Sequence, residues 1–309
     1  MFRVGLIGAG RMGRTHLRAL AESKHVRIVA VAEPSAQHRE ACTGAGIRLH
    51  ETAETMLDAG DIDGVLVAAP TKLHLELVEQ ALARGLPVLC EKPCGANPEE
   101  AATASALADQ ARRPLQIAYW RRFVPALRRL RERIAAGEFG AIYLATCYQW
   151  DGEAPPASFR AGSGGIFIDM GVHEFDQLRW LTGQDLAELH AAPALASAEP
   201  EVAGDAESAQ VLCGLSGGAT GFVSLGRRFP EGDVCWAQVF GTRHAEECRF
   251  LWPPDAETTF LQALRDQAES FARYANGGPR EGAQATDAVA ALQAAQSASR
   301  VFRNRMEIA

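Results

Sequence analysis

Arg3-Val4-Gly5-Leu6-Ile7-Gly8-Ala9-Gly10-Arg11-Met12-Gly13 is the stretch that decides the fold. An apolar run ends in a glycine, and two more glycines follow at the spacing G-x-G-x-x-G. In a chain with 29 glycines the motif alone is weak evidence. Its position makes it informative: it follows a strand-like run directly and opens a helix-like segment. Gly8 permits a tight turn, Gly10 lets a diphosphate approach the backbone, and Gly13 allows close helix–strand packing. The backbone N–H groups around Arg11 and Met12, at the helix N-terminus, offer an anion free donors and the positive end of a dipole.

An acid about 20 residues beyond the glycines completes a dinucleotide fingerprint. Glu33 stands at the end of the next apolar run. Its carboxylate would accept hydrogen bonds from ribose hydroxyls and repel a 2′-phosphate, which favours NAD over NADP. Arg39 is a nearby cation that would soften this preference. FAD and other nucleotides share the glycine half of the motif.

The first 120 residues alternate strand and helix patterns. Strands are expected at 3–8, 26–32, 64–69, 87–90 and 115–118, and helices at 12–23, 35–45, 72–84 and 98–112. Val65-Leu66-Val67-Ala68-Ala69 is continuously apolar, as in strands buried on both faces of a parallel sheet. Short connections between alternating elements give a doubly wound α/β domain, here residues 1–120. The pattern changes afterwards. A helix is expected at 122–136, strands at 141–150, 186–194, 206–215, 219–225, 234–240 and 246–250, and helices at 172–181, 258–276 and 284–303. Tight turns such as Ser216-Gly217-Gly218 separate some of these strands. Residues 121–309 therefore read as a second, α+β domain with an open, mainly antiparallel sheet of meander type.

Composition narrows the function. The 309 residues are 47% hydrophobic and 22% charged, with a formal net charge of −7, ordinary for a globular protein and wrong for a general nucleic-acid binder. No apolar run approaches the roughly 20 residues of a membrane span. Met1-Phe2 leads straight into the first strand without the series of a secretory signal, so a cytoplasmic location is expected. The seven cysteines are scattered and contain no Cys-x-x-Cys pair, so they read as reduced thiols rather than as a metal site.

Two further segments carry candidate chemistry. Glu91-Lys92-Pro93 follows the strand at 87–90, and the C-terminal ends of strands are where ligands bind in open α/β sheets. Pro93 fixes the local chain direction, which helps hold Lys92 in place. The other segment is Gly164-Gly165-Ile166-Phe167-Ile168-Asp169-Met170-Gly171-Val172-His173. Asp169 and His173 are spaced as helical neighbours on one face. An imidazole near its ordinary range suits proton exchange with an alcohol, and a carboxylate beside it fixes its tautomer. The same spacing also serves helix packing or a metal, although no third ligand is evident. Arg121, Arg122, Arg128, Arg129, Arg131 and Arg133 form one basic cluster, which reads chiefly as a solvated or interface helix face.

In combination, Gly8–Gly13, Glu33, Ala69-Pro70-Thr71 with His74, Glu91-Lys92-Pro93 and the Gly164–His173 segment resemble the glucose–fructose oxidoreductase/inositol dehydrogenase/MocA family, over nearly the whole chain. The resemblance implies a Rossmann domain and a second domain whose open sheet assembles dimers or tetramers. It implies hydride transfer between NAD and a hydroxyl or ketone of a sugar or cyclitol. It makes Lys92 the catalytic lysine, His173 the proton-transferring histidine and Asp169 the accompanying acid, all three in contact with substrate. It places Ala69, Pro70, Thr71, His74, Glu91 and Lys92 beside the cofactor. Tyr119-Trp120-Arg121-Arg122-Phe123 resembles the family segment with an aromatic or Met before Arg-Arg, which sets Arg122, and with it Asp151, near the substrate. Two other activities suit the same fold: glycoside cleavage by transient use of bound NAD, and a non-catalytic NAD-binding sensor.

Overall fold

The computed structural model describes residues 1–44, 46–196 and 205–306. The chain packs as two units, Met1–Phe123 with Leu261–Val289, and Val124–Phe260 with Ala290–Ala309. The expected boundary after residue 120 lies close to the first crossing at Phe123. A two-segment division does not capture the return of Leu261–Val289 to the first unit.

The first unit runs β1 (Phe2–Ile7), α1 (Arg11–Leu20), β2 (Val26–Ala32), α2 (Ala36–Glu40), β3 (Arg48–His50), α3 (Ala53–Asp58), β4 (Gly64–Val67), α4 (His74–Ala83), β5 (Val88–Cys90), α5 (Pro98–Ala111) and β6 (Leu115–Ile117). Its six strands are all parallel, in the order β3-β2-β1-β4-β5-β6. Chain direction across the sheet reverses between β1 and β4, and crevices at such switch points take ligands. Sequence reading misses β3 and α3. Arg48-Leu49-His50 is a three-residue edge strand with no apolar alternation. The six-residue α3 is too short to show a period; it is started by Thr52, whose hydroxyl accepts the Thr55 N–H. The helix expected at 35–45 is only α2, N-capped by Ser35; its expected end, residue 45, lies outside the described residues.

The helix expected at 122–136 is corrected. Trp120–Phe123 forms a 3₁₀ turn, Val124 is extended, and α6 (Pro125–Ala135) starts anew with proline at its first position. The residue before proline avoids helical backbone, so no helix runs through it. After α6 the second unit continues with β7 (Ile142–Trp150), α7 (Ala157–Arg160), a π-type turn (Phe167–Gly171), α8 (Val172–Thr182), β8 (Leu186–Ala196), β9 (Ala206–Leu215), β10 (Thr220–Gly226), β11 (Val234–Gly241) and β12 (Ala245–Leu251). The helices α9 (Ala256–Ala275) and α10 (Ala285–Met306) close the chain.

The second sheet is mostly antiparallel, as expected, but not a simple meander. Its order is β12-β11-β7-β10-β9-β8, with β7 inserted between two hairpin-linked groups and parallel to β10. That parallel pairing aligns the ends of the two strands, Trp150 opposite Gly226. One sheet face is covered by α8, whose Gln177 amide donates to Cys147 Sγ at 3.3 Å. The other face carries Tyr148 stacked on Trp236 at 4.2 Å, Phe222, and Leu212, which is 48% exposed.

In the first unit α9 packs on the sheet. Phe271 meets Phe2 edge-on at 5.9 Å, and Ala268 and Ala272 join a core with Val4, Leu6, Val31, Leu66 and Leu89. The Ile117 N–H donates to the Ala283 carbonyl at 2.9 Å. All seven cysteines are buried free thiols. Among the described residues, no helix is long and apolar enough to cross a membrane.

Candidate active site

In the first unit, the predicted residues gather where β1, β2, β4 and β5 end. Gly8 sits at φ +93°, and a Cβ there would lie 2.7 Å from the Ala68 carbonyl oxygen. A Cβ at Gly13 would collide with the Gly8 carbonyl, so the close helix–strand approach requires glycine. Gly10 differs: a Cβ there meets nothing within 4 Å, so its open side is free for a ligand. Gly10 also caps α1 without a side-chain hydrogen bond, and the first turn, with Arg11 and Met12, holds no acid. These features fit a dinucleotide diphosphate, held by backbone donors at the helix N-terminus.

Glu33 closes the same loop. Its Oε2 accepts the Ala9 N–H at 2.7 Å and its Oε1 the Ser35 N–H at 2.9 Å. A carboxylate has about four acceptor positions, so capacity remains for ribose hydroxyls. Arg39 is already engaged: it donates to the Glu33 carbonyl at 2.6 Å and the Pro34 carbonyl at 3.2 Å, and pairs with Glu51 at 3.8 Å.

Ala69, Pro70 and Thr71 follow β4, and Thr71 opens a 3₁₀ turn into α4. His74, 1% exposed, ties this loop to the next: Nε2 lies 2.8 Å from the Ala69 carbonyl and Nδ1 2.7 Å from the Pro93 carbonyl. Glu91 is held by His16, a fully buried side chain of α1, at 2.8 Å, and accepts the Lys92 N–H at 3.1 Å. Burial pushes the Glu91 carboxyl up, but the His16 hydrogen bond and the charges of His16, Lys92 and His74 outweigh it and bring it below its ordinary value. The backbone of Lys92 is thus braced on both sides while its side chain stays half-buried. Sequence reading passes over His16. Its signal is a histidine three residues after Gly13, on the same buried face as Gly13, Ala19 and Leu20. Arg122 is buried and pairs with Asp287 at 3.2 Å.

The second unit holds the other predicted residues. Asp169 lies in the π-type turn and His173, buried, in the first turn of α8. π-Type turns inside helices recur at functional sites. Asp169 Oδ2 accepts from Arg227 Nη1 at 3.1 Å. Asp151 follows β7 directly; its N–H donates to Gly226 O at 2.9 Å and Oδ1 accepts from Gln149 at 3.0 Å. Burial, with Asp233 and Asp169 adding repulsion, pushes its carboxyl up to about 6 against the pull of Gln149 and Arg227.

That displacement makes stability depend on pH. Folded protein keeps the Asp151 proton to about pH 6, whereas an unfolded chain releases it near 3.8. The folded state binds more protons in between, so stability falls as pH rises from about 4 to about 6. Urea unfolding of Asp151→Asn should match the parent near pH 4 and exceed it above pH 6, by at most about 3 kcal/mol. Parallel curves for parent and variant would refute the assignment.

Comparison with known proteins bears on the family and the fold. The profile of the GFO/IDH/MocA oxidoreductase family, NAD-binding Rossmann fold, matches residues 2–119, and that of the GFO/IDH/MocA C-terminal domain matches residues 127–245. The chain is 55% identical to the rhizopine catabolism protein MocA of Rhizobium meliloti, over 97% of this chain and 95% of the relative. It is 29% identical to an inositol 2-dehydrogenase of Rhizobium meliloti (strain 1021), over 99% and 98% of the two chains. The crystal structure of apo scyllo-inositol dehydrogenase from Lactobacillus casei superposes with a TM-score of 0.89 at 25% identity, covering 99% of this chain and 97% of that one. The chain belongs to the GFO/IDH/MocA family of oxidoreductases, with an NAD-binding Rossmann fold.

Proposed function

We propose that this protein oxidises a secondary hydroxyl of a cyclitol or sugar with NAD, or reduces the corresponding ketone. The observation that carries the reading is the braced Lys92 beside a glycine cradle fit for a diphosphate, both at the strand ends of one sheet. The names of the inositol dehydrogenases to which the chain is similar support a cyclitol.

Bound NAD supplies the hydride acceptor. Gly8, Gly10, Arg11, Met12 and Gly13 hold its diphosphate, and Glu33 selects the unphosphorylated ribose. Ala69, Pro70, Thr71, His74 and Glu91 shape the nicotinamide half. His173 takes the hydroxyl proton, Lys92 donates a charged hydrogen bond to the oxygen, and Asp169 orients the reacting groups. Asp151 and Arg122 lie near the substrate hydroxyls. Nucleotide binding belongs to residues 1–120, and substrate binding and self-assembly to 121–309. The aromatic sheet face bearing Leu212, Tyr148, Phe222 and Trp236 suits a homodimer or homotetramer. Seven buried free thiols suit a reducing cytoplasm.

The test is a substrate panel. Purified protein is given NAD or NADP with inositol isomers, aldoses and glycosides at mildly alkaline pH, and reduced nicotinamide is followed by absorbance. Accumulation with a cyclitol or sugar, faster with NAD, is expected. Glycoside cleavage without net NADH would replace the reading by the hydrolytic one. NAD binding without turnover of any substrate would replace it by the sensor.

A further inference from the structure

The second unit contains a buried ionic chain that no local stretch of sequence announces. Arg227 follows β10 and is fully buried. Its Nη1 lies 3.1 Å from Asp169 Oδ2 and its Nη2 3.5 Å from Asp205 Oδ2. Asp205 Oδ2 also accepts from Arg160 Nε at 3.1 Å, and Arg160, equally buried, reaches Glu207 at 3.0 Å. Glu207 in turn accepts from Arg228 at 3.0 Å. The other oxygen of Asp205 holds backbone. Its Oδ1 accepts the Ile166 N–H at 2.8 Å, just ahead of the π-type turn that carries Asp169. One guanidinium therefore joins the Asp169 side chain to the carboxylate that holds the Ile166 N–H, three residues upstream.

Such a chain is a poor device for stability. Taking these ions out of water is costly, and apolar groups of the same volume often serve stability as well or better. What a planar guanidinium adds is direction: Nη1 donates to Asp169 while Nη2 faces Asp205 as an ion pair. The fold delivers Arg227 to this place through the parallel pairing of β7 and β10, which sets Gly226 opposite Trp150 and so places Arg227 beside Asp151.

We propose that Arg227 is a positioning residue for Asp169 in the reaction proposed above, fixing its carboxylate through the Asp205–Arg160–Glu207 chain. The inference rests on that reading, because it needs Asp169 to act in the reaction. It assigns the Arg227–Asp205 pair to orientation of the reacting groups and not to nucleotide binding.

A double-mutant cycle tests it. Arg227→Lys keeps the charge and loses the fork; Asp169→Asn removes the positioned group. Both variants and the double variant are checked for folding by thermal unfolding, for NAD affinity by fluorescence titration, and for kcat with the substrate found in the panel. Arg227→Lys is expected to lower kcat at least tenfold with NAD affinity within twofold of the parent. Adding it to Asp169→Asn is expected to lower kcat no further, because the group it positions is already gone. Independent, multiplicative losses in the double variant would overturn the proposal, as would a folded Arg227→Lys with parental kcat. Should Arg227→Lys unfold, Asp205→Asn, which leaves Arg227 in place, must show the same non-additivity with Asp169→Asn. Parental kcat in Asp169→Asn alone would instead overturn the assigned role of Asp169, and the proposal with it.

Discussion

Replacing Lys92 by alanine is expected to lower kcat by about 10²–10⁴-fold while leaving NAD affinity and thermal stability nearly unchanged. The separation follows from how the residue is held. Its N–H is fixed by Glu91, the Glu91 carboxylate by His16, and the following Pro93 carbonyl by His74. None of these hydrogen bonds uses the ammonium group, whose charge only adds to the pull on Glu91, so alanine keeps the hydrogen-bonded scaffold and removes the charged donor. A charged hydrogen bond to the reacting oxygen is worth more as charge develops there, so the loss falls on kcat more than on binding. Steady-state kinetics paired with fluorescence titration of NAD separates the two. Near-parental turnover would remove Lys92 from the chemistry.

The second large effect comes from the glycines. Gly13→Ala sets a methyl group against the Gly8 carbonyl, a backbone atom that cannot swing aside. The loop must shift, at a cost of about 1–3 kcal/mol or more, and NAD affinity should fall by two orders of magnitude or beyond. Gly10→Ala is the informative control. Its backbone is extended at φ −64°, which alanine tolerates, and its Cβ meets no protein atom within 4 Å. The melting temperature should therefore stay put while NAD affinity falls, since the methyl occupies the side through which a diphosphate approaches. Parental NAD affinity in Gly10→Ala would mean that the diphosphate lies elsewhere.

What the sequence makes legible here is local. The glycine spacing after β1, the acid at the end of β2 and the lysine after β5 are each read within a few residues of a strand end, and parallel strands put such ends on one edge of a sheet. What escapes reading depends on distant partners. The pairing of Arg122 with Asp287 spans 165 positions. β7 looks like the first strand of a meander until β10 pairs beside it in parallel. Arg227 passes unread in Arg227-Arg228, because nothing nearby in the chain announces Asp169, Asp205 or Arg160. His16 lies between: its buried helix face is readable, but not its partnership with Glu91. Short elements such as β3 and α3 escape for another reason, having too few residues to display a period.

The return of residues 261–289 to the first unit bears on how this protein comes into being. Phe2 leaves the ribosome 269 residues ahead of Phe271, the ring that meets it edge-on. At roughly 5–20 residues per second, translation separates the two by tens of seconds. For that interval the nascent Rossmann sheet has its strands but lacks part of its cover, with Phe2 and its apolar neighbours open to water and to other chains. An N-terminal half that reads as self-sufficient is, during synthesis, the part that waits longest for completion.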